Sequence, residues 1–298
     1  MIHVKKLANL SGHSGAVYAI EQSDEKNCFY SGSSDKIIAK WNRETRSPEK
    51  FAAQLPGIVY SLCYIKEKNA LLAGTSEGKI HVIDLSNKKE IKILQNHIQP
   101  VFDIKHSVAA ILSVGGDGNL TIISAKDFST TKIIKLCEEK LRAIDIYDNT
   151  AAIACGDGFV RIIDLTTLKI ADEFAAHKGS VYSLKFSPDG KYLLSGGRDA
   201  HLNKWLFKPE TLNFKLETSL PAHNYAIYSI VFSPNGKFLA TASRDKTVKV
   251  WDANTFEILT RINKENFEGH INSVNKLMWA ENLISCGDDR NIMIWDIF

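Results

Sequence analysis

Short runs of β-branched and aromatic residues, separated by turn residues, recur along the whole chain. Examples are VYSLKF, YLLSGG, TVKVWD and IVFSPNGKFLATAS, whereas long helical periodicity is absent. The segments SPDG at Ser187–Gly190 and SPNG at Ser233–Gly236 carry proline and glycine where a tight turn requires them. The pattern predicts an all-β protein of short strands joined by hairpin turns.

An acidic residue followed six positions later by Trp or Ile recurs seven times, at intervals of 40 to 46 residues. The pairs are Asp35/Trp41, Glu77/Ile83, Asp117/Ile123, Asp157/Ile163, Asp199/Trp205, Asp245/Trp251 and Asp289/Trp295. This period suits one four-stranded propeller blade and is too long for helical repeats of about 33 or 34 residues. The repeat therefore predicts seven four-stranded antiparallel blades.

Two other residue types recur with the acidic one in five of the repeats. A histidine precedes the first strand, and a hydroxyl residue stands four positions before the acidic residue, as in His13/Ser31, His97/Ser113, His177/Ser195, His223/Thr241 and His270/Ser285. The other two repeats have Leu55 with Ala73 and Cys137 with Ile153. Because histidine and hydroxyl are lost together, we expect them to be hydrogen-bonded; a buried imidazole without its partner costs about 1–3 kcal/mol.

These residues resemble the motifs of the WD-repeat β-propeller family across essentially the whole chain. The matching segments are Gly12-His13, Gly269-His270, Trp251-Asp252, Trp295-Asp296 and SRDKTVKVWD at Ser243–Asp252. The resemblance implies a structural His–Ser/Thr–Asp–Trp network within each blade. Four sets are complete, namely His13/Ser31/Asp35/Trp41, His177/Ser195/Asp199/Trp205, His223/Thr241/Asp245/Trp251 and His270/Ser285/Asp289/Trp295. The third blade retains His97, Ser113 and Asp117 but has Ile123, and we expect the second and fourth blades to rely on apolar packing.

The repeats imply one domain spanning residues 1–298, with blades at approximately 11–52, 53–94, 95–135, 136–174, 175–220, 221–267, and 268–298 with 2–10. The last repeat stops after its third strand at Phe298, and a strand-like segment, Ile2–Leu10, precedes the first repeat. An unclosed propeller exposes a strand edge. We therefore expect Ile2–Leu10 to supply the outer strand of the last blade and close the ring. The long segment at 201–224 predicts an extended outer hairpin in the fifth blade.

Composition excludes several classes of protein. A hydrophobic content of 44% with 24% charged residues is typical of a globular protein, and the sequence pattern predicts neither a spanning segment nor a signal peptide. The net charge of +3 is too small to indicate a nucleic-acid or membrane partner. Five cysteines without metal-binding spacing, Cys28, Cys63, Cys137, Cys155 and Cys286, predict buried reduced thiols, no metal or cofactor, and a cytoplasmic location.

The recurrence of Ser, His and Asp raises the possibility of a hydrolase, because a hydroxyl nucleophile needs a base oriented by a carboxylate. Five copies of one site argue against it, since function resides in a unique site rather than a repeated one. The glycine-rich segments SVGGDGNL and ACGDGFVR fit hairpin turns and not the helix-opening phosphate loop. We therefore expect a protein that is not an enzyme.

The residue after the first-strand aliphatic is aromatic in five of the seven repeats. Similar positions in WD-repeat proteins line the mouth of the central channel, where partner peptides dock. Arg198 and Arg244, which directly precede acidic repeat residues, and Lys140, two residues before Arg142, are expected at the same mouth. The predicted partner-binding rim contains Tyr18, Tyr60, Phe102, Lys140, Arg142, Tyr182, Arg198, Tyr228, Arg244 and Asn275. Aromatic residues and arginine are enriched in binding hot spots, although such rings can also fill the space between blades.

These features predict a non-catalytic interaction scaffold, monomeric on its own. Its expected partner is a peptide or loop of another protein, with acidic groups facing the Arg/Lys sector. One alternative is a small-molecule binder whose aromatic residues surround an organic cation, which the neighbouring arginines oppose. The other is an enzyme whose loop site has no recognisable motif.

Overall fold

Seven four-stranded antiparallel sheets make up nearly all the regular structure of the chain. They are the seven blades of a β-propeller, as predicted. This computed structural model describes residues 2–23, 25–107 and 110–298. Helical structure within these ranges consists of a 3-10 turn at Lys66–Lys68 and a short helix, α1 (Lys264–Phe267). Neither of these described helices has the length and apolar character needed to cross a membrane.

In six blades, four strands that are consecutive in the chain pair in sequence order. The N-terminal strand β1 (Val4–Leu10) precedes them. The six blades contain β2 (Val17–Gln22), β3 (Cys28–Ser33), β4 (Ile37–Asn42) and β5 (Ser47–Gln54); β6 (Val59–Ile65), β7 (Ala70–Thr75), β8 (Lys79–Asp84) and β9 (Lys89–Gln95); β10 (Val101–His106), β11 (Ala110–Gly115), β12 (Asn119–Ser124) and β13 (Thr130–Lys135); β14 (Leu141–Tyr147), β15 (Thr150–Cys155), β16 (Phe159–Asp164) and β17 (Lys169–Ala175); β18 (Val181–Phe186), β19 (Tyr192–Gly197), β20 (His201–Lys208) and β21 (Asn213–Pro221); and β22 (Ile227–Phe232), β23 (Phe238–Ser243), β24 (Val248–Asp252) and β25 (Ile258–Ile262).

The seventh blade joins the first strand of the chain to its last three, which are β26 (Val274–Trp279), β27 (Leu283–Gly287) and β28 (Ile292–Ile297). Strand β1 pairs antiparallel with β28, from Val4 opposite Ile297 to Leu10 opposite Ile292. The amide of His3 adds a hydrogen bond of 2.7 Å to the carbonyl of Phe298. The N-terminal segment therefore supplies the outer strand of the last blade, as predicted.

The turns at SPDG and SPNG have the predicted tight geometry. Gly190 and Gly236 both have φ of +68°, and the amide of each donates a hydrogen bond of 2.9 Å to the backbone carbonyl of the serine three residues earlier. Glycine adopts this left-handed conformation without the steric cost that a Cβ imposes. The predicted long hairpin of the fifth blade is also present, because β20 and β21 contain 8 and 9 residues.

The chain divides into two compact units, one formed by the residues up to Val101 with Val231–Phe298 and the other by Phe102–Ile230. In the first unit, buried Ile38 of β4 shares an apolar cluster with Leu71 of β7. In the second unit, Ile162 of β16 shares a cluster with Leu193 of β19. Within each unit, apolar side chains from successive sheets are thus removed from water together, which is the main stabilising contribution to such a fold.

Candidate binding site

The first blade contains a continuous series of hydrogen bonds that joins its four repeat residues. His13 Nδ1 lies 2.8 Å from Asp35 Oδ2, and His13 Nε2 lies 2.7 Å from Ser31 Oγ. Trp41 Nε1 donates to the same serine oxygen at 2.6 Å. Because the carboxylate only accepts, Nδ1 donates to it, Nε2 accepts the serine hydroxyl, and the serine oxygen accepts the indole N–H.

The fifth and seventh blades repeat this arrangement. Their contacts are His177–Asp199 at 2.8 Å, His177–Ser195 at 2.8 Å and Trp205–Ser195 at 2.9 Å, and His270–Asp289, His270–Ser285 and Trp295–Ser285 at 2.9 Å each. In the sixth blade Trp251 Nε1 donates to Thr241 Oγ1 at 2.9 Å. The acidic turn is thereby tied to the loop before the first strand and to the centre of the sheet.

The aspartates of these networks are stabilised as carboxylates. Burial by itself raises the pKa of Asp199, but hydrogen bonds from His177 and from the backbone amides of Lys178 and His201 outweigh it and lower the pKa to about 2. The pKa values of Asp35 and Asp289 are also lowered. Burial raises them, but hydrogen bonds from histidine and from backbone amides outweigh the effect of burial. The ionised form of each aspartate is therefore part of the folded blade.

The same connectivity, with histidine between a carboxylate and a hydroxyl, occurs in serine hydrolases. Here the hydroxyl is inaccessible, because Ser31, Ser195 and Ser285 have 0% of their surface exposed. Each of these oxygens also accepts a hydrogen bond from a tryptophan. A substrate carbonyl cannot approach such an oxygen without disrupting the blade, so the hydroxyls of these three networks are not accessible nucleophiles.

The second and fourth blades replace the network with other contacts. Buried Leu55 packs in the apolar cluster that contains Ile83, and exposed Glu77 forms a 2.9 Å ion pair with Lys79. In the fourth blade, buried Ile153 and Ile163 share an apolar cluster against which Cys137 packs.

In the second compact unit, four rim side chains form a continuous row, which we call the aromatic row: Phe102, Arg142, Tyr182 and Tyr228. Arg142 Cζ lies 4.7 Å from the centre of the Phe102 ring and 5.1 Å from that of Tyr182. The Tyr182 and Tyr228 rings meet edge to face, 5.1 Å apart. All four residues are half-buried. The guanidinium is thus held between two aromatic faces, a cation–π arrangement that fixes its orientation.

Each row member follows a buried aliphatic residue at the start of a first strand. Val101, Leu141, Val181 and Ile227 have 0% exposure. At Arg142 and Tyr182 the pairing with the next strand is interrupted by a register shift, between Leu141 and Ala143 and between Val181 and Ser183, so these two residues lie at irregular positions of the ladder.

Two predicted cations lie near the same strand ends. The Arg198 amide donates to Ser180 O at 2.9 Å, and Lys140 O accepts the Gly156 amide at 2.7 Å; Arg198 and Lys140 are both exposed.

The first compact unit contains the other rim residues. The Tyr18 and Tyr60 rings lie 5.0 Å apart, and burial, followed by the Asp288 and Tyr60 charges, raises the pKa of Tyr18. Asn275 Nδ2 donates to Val17 O at 3.0 Å and to Asp288 Oδ1 at 2.8 Å, so this side chain is engaged within the protein. Arg244 is exposed.

Two buried aspartates escape detection in the sequence because they do not recur at an equivalent repeat position. Asp103 and Asp145 have 4% and 5% of their surface exposed. Asp103 accepts the Ile144 amide at 3.0 Å, and Asp145 accepts the Phe186 amide at 2.7 Å and Lys185 Nζ at 2.8 Å. These carboxylates link the first strands β10, β14 and β18 of successive sheets.

A comparison with known proteins finds distant relatives. Autophagy-related protein 16 of Arabidopsis thaliana is 22% identical over 194 residues, which cover 64% of this chain and 38% of that protein. Human striatin is 20% identical over 239 residues, covering 70% and 30%. An uncharacterised WD repeat-containing protein of Schizosaccharomyces pombe is 24% identical over 301 residues, covering 98% and 70%. The chain therefore spans well under half the length of the first two relatives.

The family model for the WD domain, G-beta repeat, matches four segments of the chain. They are residues 4–42, 168–205, 214–252 and 262–296, and together they make up just over half of its length. They include strands β1 to β4 and much of the fifth, sixth and seventh blades, and each segment contains one complete set of His–Ser/Thr–Asp–Trp residues. With its repeat length, blade networks and sheet topology, the chain belongs to the WD-repeat family of β-propellers.

Proposed function

We propose that this propeller is a non-catalytic scaffold that binds a short peptide or loop of a partner protein at the aromatic row. Membership of the WD-repeat family supports a role in protein interaction. The observation that carries the proposal is the half-buried Arg142 guanidinium held between the Phe102 and Tyr182 rings. Aromatic and arginine side chains of this kind bind partners strongly, because they bury large areas at low entropic cost.

The charges near the row favour an acidic partner. The half-buried Arg142 carries a permanent positive charge between the two rings, although its Nε is itself buried and makes no hydrogen bond within the described part of the chain. Exposed Arg198 and Lys140 add positive charge at the same strand ends. Arginine pairs with carboxylates through a fixed fork of donors, so an Asp, a Glu or a C-terminal carboxylate suits this position.

The same geometry disfavours an organic cation as the ligand. Such a cation needs free aromatic faces, and Arg142 already lies against the Phe102 and Tyr182 rings. A second positive charge there meets electrostatic repulsion from the guanidinium. The positive charge of Arg142 that repels an organic cation attracts an acidic peptide.

Peptide selection with a counter-selection tests this proposal. A random peptide library is selected on the immobilised protein and then passed over the Tyr182→Ala/Tyr228→Ala variant. We expect peptides enriched in Asp and Glu that bind the wild type and are not retained by the double variant. Arg198→Glu should shift the selected sequences away from acidic residues.

Tyr192→Ala provides the matched control. Tyr192 begins β19, at the opposite end of the sheet from Gly197, which pairs with Val181 beside Tyr182. Its removal deletes a half-buried tyrosine of the same blade and leaves the aromatic row intact. The proposal is contradicted if the library yields no peptide, or if the recovered peptides bind the double variant as well as they bind Tyr192→Ala.

A further inference from the structure

The fourth blade has two thiols and a carboxylate in one small cluster. Cys137 occupies the repeat position that is histidine in five other blades, and Asp157 is the acidic repeat residue. The sulfur atoms of Cys137 and Cys155 and a carboxylate oxygen of Asp157 all lie within 4.8 Å of one another. From this cluster we infer that Cys137, Cys155 and Asp157 form a binding site for a thiophilic divalent cation such as Zn²⁺.

The blade fold explains why these residues meet. In the fifth blade the same two repeat positions hold His177 and Asp199 at 2.8 Å from each other. Gly197 corresponds there to Cys155, and a Cβ added to it would meet the His177 ring. A side chain at this position therefore faces the histidine position. In the fourth blade that geometry directs the Cys155 side chain, from the end of β15, towards Cys137.

The donor atoms match the chemistry of zinc. Zinc binds cysteine sulfur at about 2.3 Å and carboxylate oxygen at about 2.0–2.2 Å, so donors around a tetrahedral ion lie within about 4 Å of one another. The cluster reaches this spacing with side-chain shifts of about an ångström or less. Cys155 is buried, Cys137 is half-buried and Asp157 is exposed, so a cation reaches the cluster from the exposed Asp157 side.

The neighbouring charges suit a bound divalent cation. Arg161 Nη1 lies 2.8 Å from Asp157 Oδ2, and its Nε lies 3.2 Å from Glu173 Oε2. Two thiolates and one carboxylate carry three negative charges, which a divalent cation and Arg161 together neutralise. Arg161 orients the Asp157 carboxylate as an outer partner. Because its guanidinium also interacts with Cys155, it must move away from that sulfur when a cation binds.

Binding requires the two thiols to lose their protons. Cys137 Sγ now donates to Glu139 O at 3.1 Å, and Cys155 Sγ donates to Ile153 O at 3.6 Å. When the cation binds, each sulfur forms a bond to the metal and each thiol proton passes to the solvent. No electrons are transferred, so cation binding neither needs an oxidant nor produces a disulfide.

Titration of the reduced full-length protein with Co²⁺ tests this site. We expect one Co²⁺ per chain, an ultraviolet thiolate-to-metal charge-transfer band, release of two protons, and loss of the band when Zn²⁺ is added. Cys137→Ala should abolish the band. Asp157→Asn should weaken Co²⁺ binding about tenfold or more, because it removes an anionic ligand.

The control is Cys63→Ala, which removes a buried thiol from β6 and should bind Co²⁺ as the wild type does. Circular dichroism checks that each variant is folded, and exposed Asp157 gives a variant whose effect does not depend on core packing. The inference is overturned if the reduced protein takes up no Co²⁺, or if both site variants bind like Cys63→Ala. It is equally overturned if Cys137 and Cys155 form a disulfide in air while the reduced protein binds no metal.

Discussion

At the scale of single residues, the repeat residues satisfy one another's hydrogen bonds. In the fifth blade Ser195 Oγ lies between His177 Nε2 and Trp205 Nε1, while Asp199 receives the other imidazole nitrogen. Each polar side-chain atom of this four-residue network has a hydrogen-bond partner, although the serine is fully buried. Removing one member leaves the others without hydrogen-bond partners, which lowers the free energy of unfolding more than the loss of a single exposed hydrogen bond does.

We therefore predict that Asp199→Ala lowers the free energy of unfolding by about 1–3 kcal/mol. The variant leaves His177 without its acceptor and frees the Lys178 amide, which now donates to Asp199 at 2.9 Å. Urea unfolding followed by circular dichroism measures the change. Glu77→Ala is the matched control, since Glu77 is exposed and paired with Lys79, and its unfolding midpoint should stay near that of the wild type. Equal effects at the two sites would show that the network contributes nothing.

The lowered pKa of Asp199 also predicts acid sensitivity. Its pKa falls from 3.8 to about 2 on folding, so between these values the unfolded chain binds the proton more readily than the folded chain. This contribution to stability is present at neutral pH and is lost as the pH falls from about 4 to about 2. In urea unfolding at a series of pH values, Asp199→Asn should lose less stability over this interval than the wild type. Parallel curves for the two proteins would refute the assignment.

At the scale of strands, buried carboxylates join one sheet to the next in the second compact unit. Asp145 on β14 accepts the backbone amide of Phe186 and the ammonium group of Lys185, both on β18. Asp103 on β10 accepts the amide of Ile144 on β14. These bonds use backbone groups of the first strand in the next sheet, and they hold adjacent sheets in a fixed register.

We predict that Asp145→Ala lowers the free energy of unfolding by about 1–3 kcal/mol, because it leaves the Phe186 amide buried without its acceptor. Lys185→Met is the control: it removes the ion pair but keeps the amide bond, and Lys185 is 38% exposed on its side chain. Such partly exposed ion pairs contribute about 0–1 kcal/mol. Thermal unfolding of both variants measures the difference, and a larger loss in Lys185→Met would contradict this ranking.

What the sequence predicts at this scale depends on repetition. The acidic residues and their Trp or Ile partners recur in every blade, so strand count, blade order and the role of β1 follow from their period. Asp103 and Asp145 stand at different distances from the start of their strands and give no periodic pattern. Cys137 and Cys155 are distant in sequence and meet through strand pairing; the cysteine at a histidine position is the one feature that could have indicated their site.

The aromatic row is only partly predictable from the sequence. Its positions follow from the repeat, since each residue comes directly after a buried first-strand aliphatic. The insertion of Arg142 between Phe102 and Tyr182 does not follow from the repeat, because it depends on the distance between neighbouring sheets. The rim in the first unit differs again, with Asn275 and Tyr18 close to the acidic Asp288.

At the scale of the whole molecule, the residues that stabilise the blades differ from those that we propose to bind a partner. The repeated histidine, hydroxyl and tryptophan side chains are buried within their own blades and most of their aspartates are half-buried, whereas the aromatic row occupies other positions. A propeller of this kind can change its partner specificity at these positions while its blades keep the same packing. The function of the chain is therefore sought in the residues that differ from blade to blade.

The most direct test is the affinity of one selected acidic peptide for the wild type, Tyr192→Ala and Tyr182→Ala/Tyr228→Ala, measured by fluorescence anisotropy. Truncation of a hot-spot residue costs about 2 kcal/mol or more, so the double variant should raise the Kd by about 30-fold or more. Tyr192→Ala should bind like the wild type, and all three proteins should unfold cooperatively. An unchanged Kd in a folded double variant would contradict the proposed binding site.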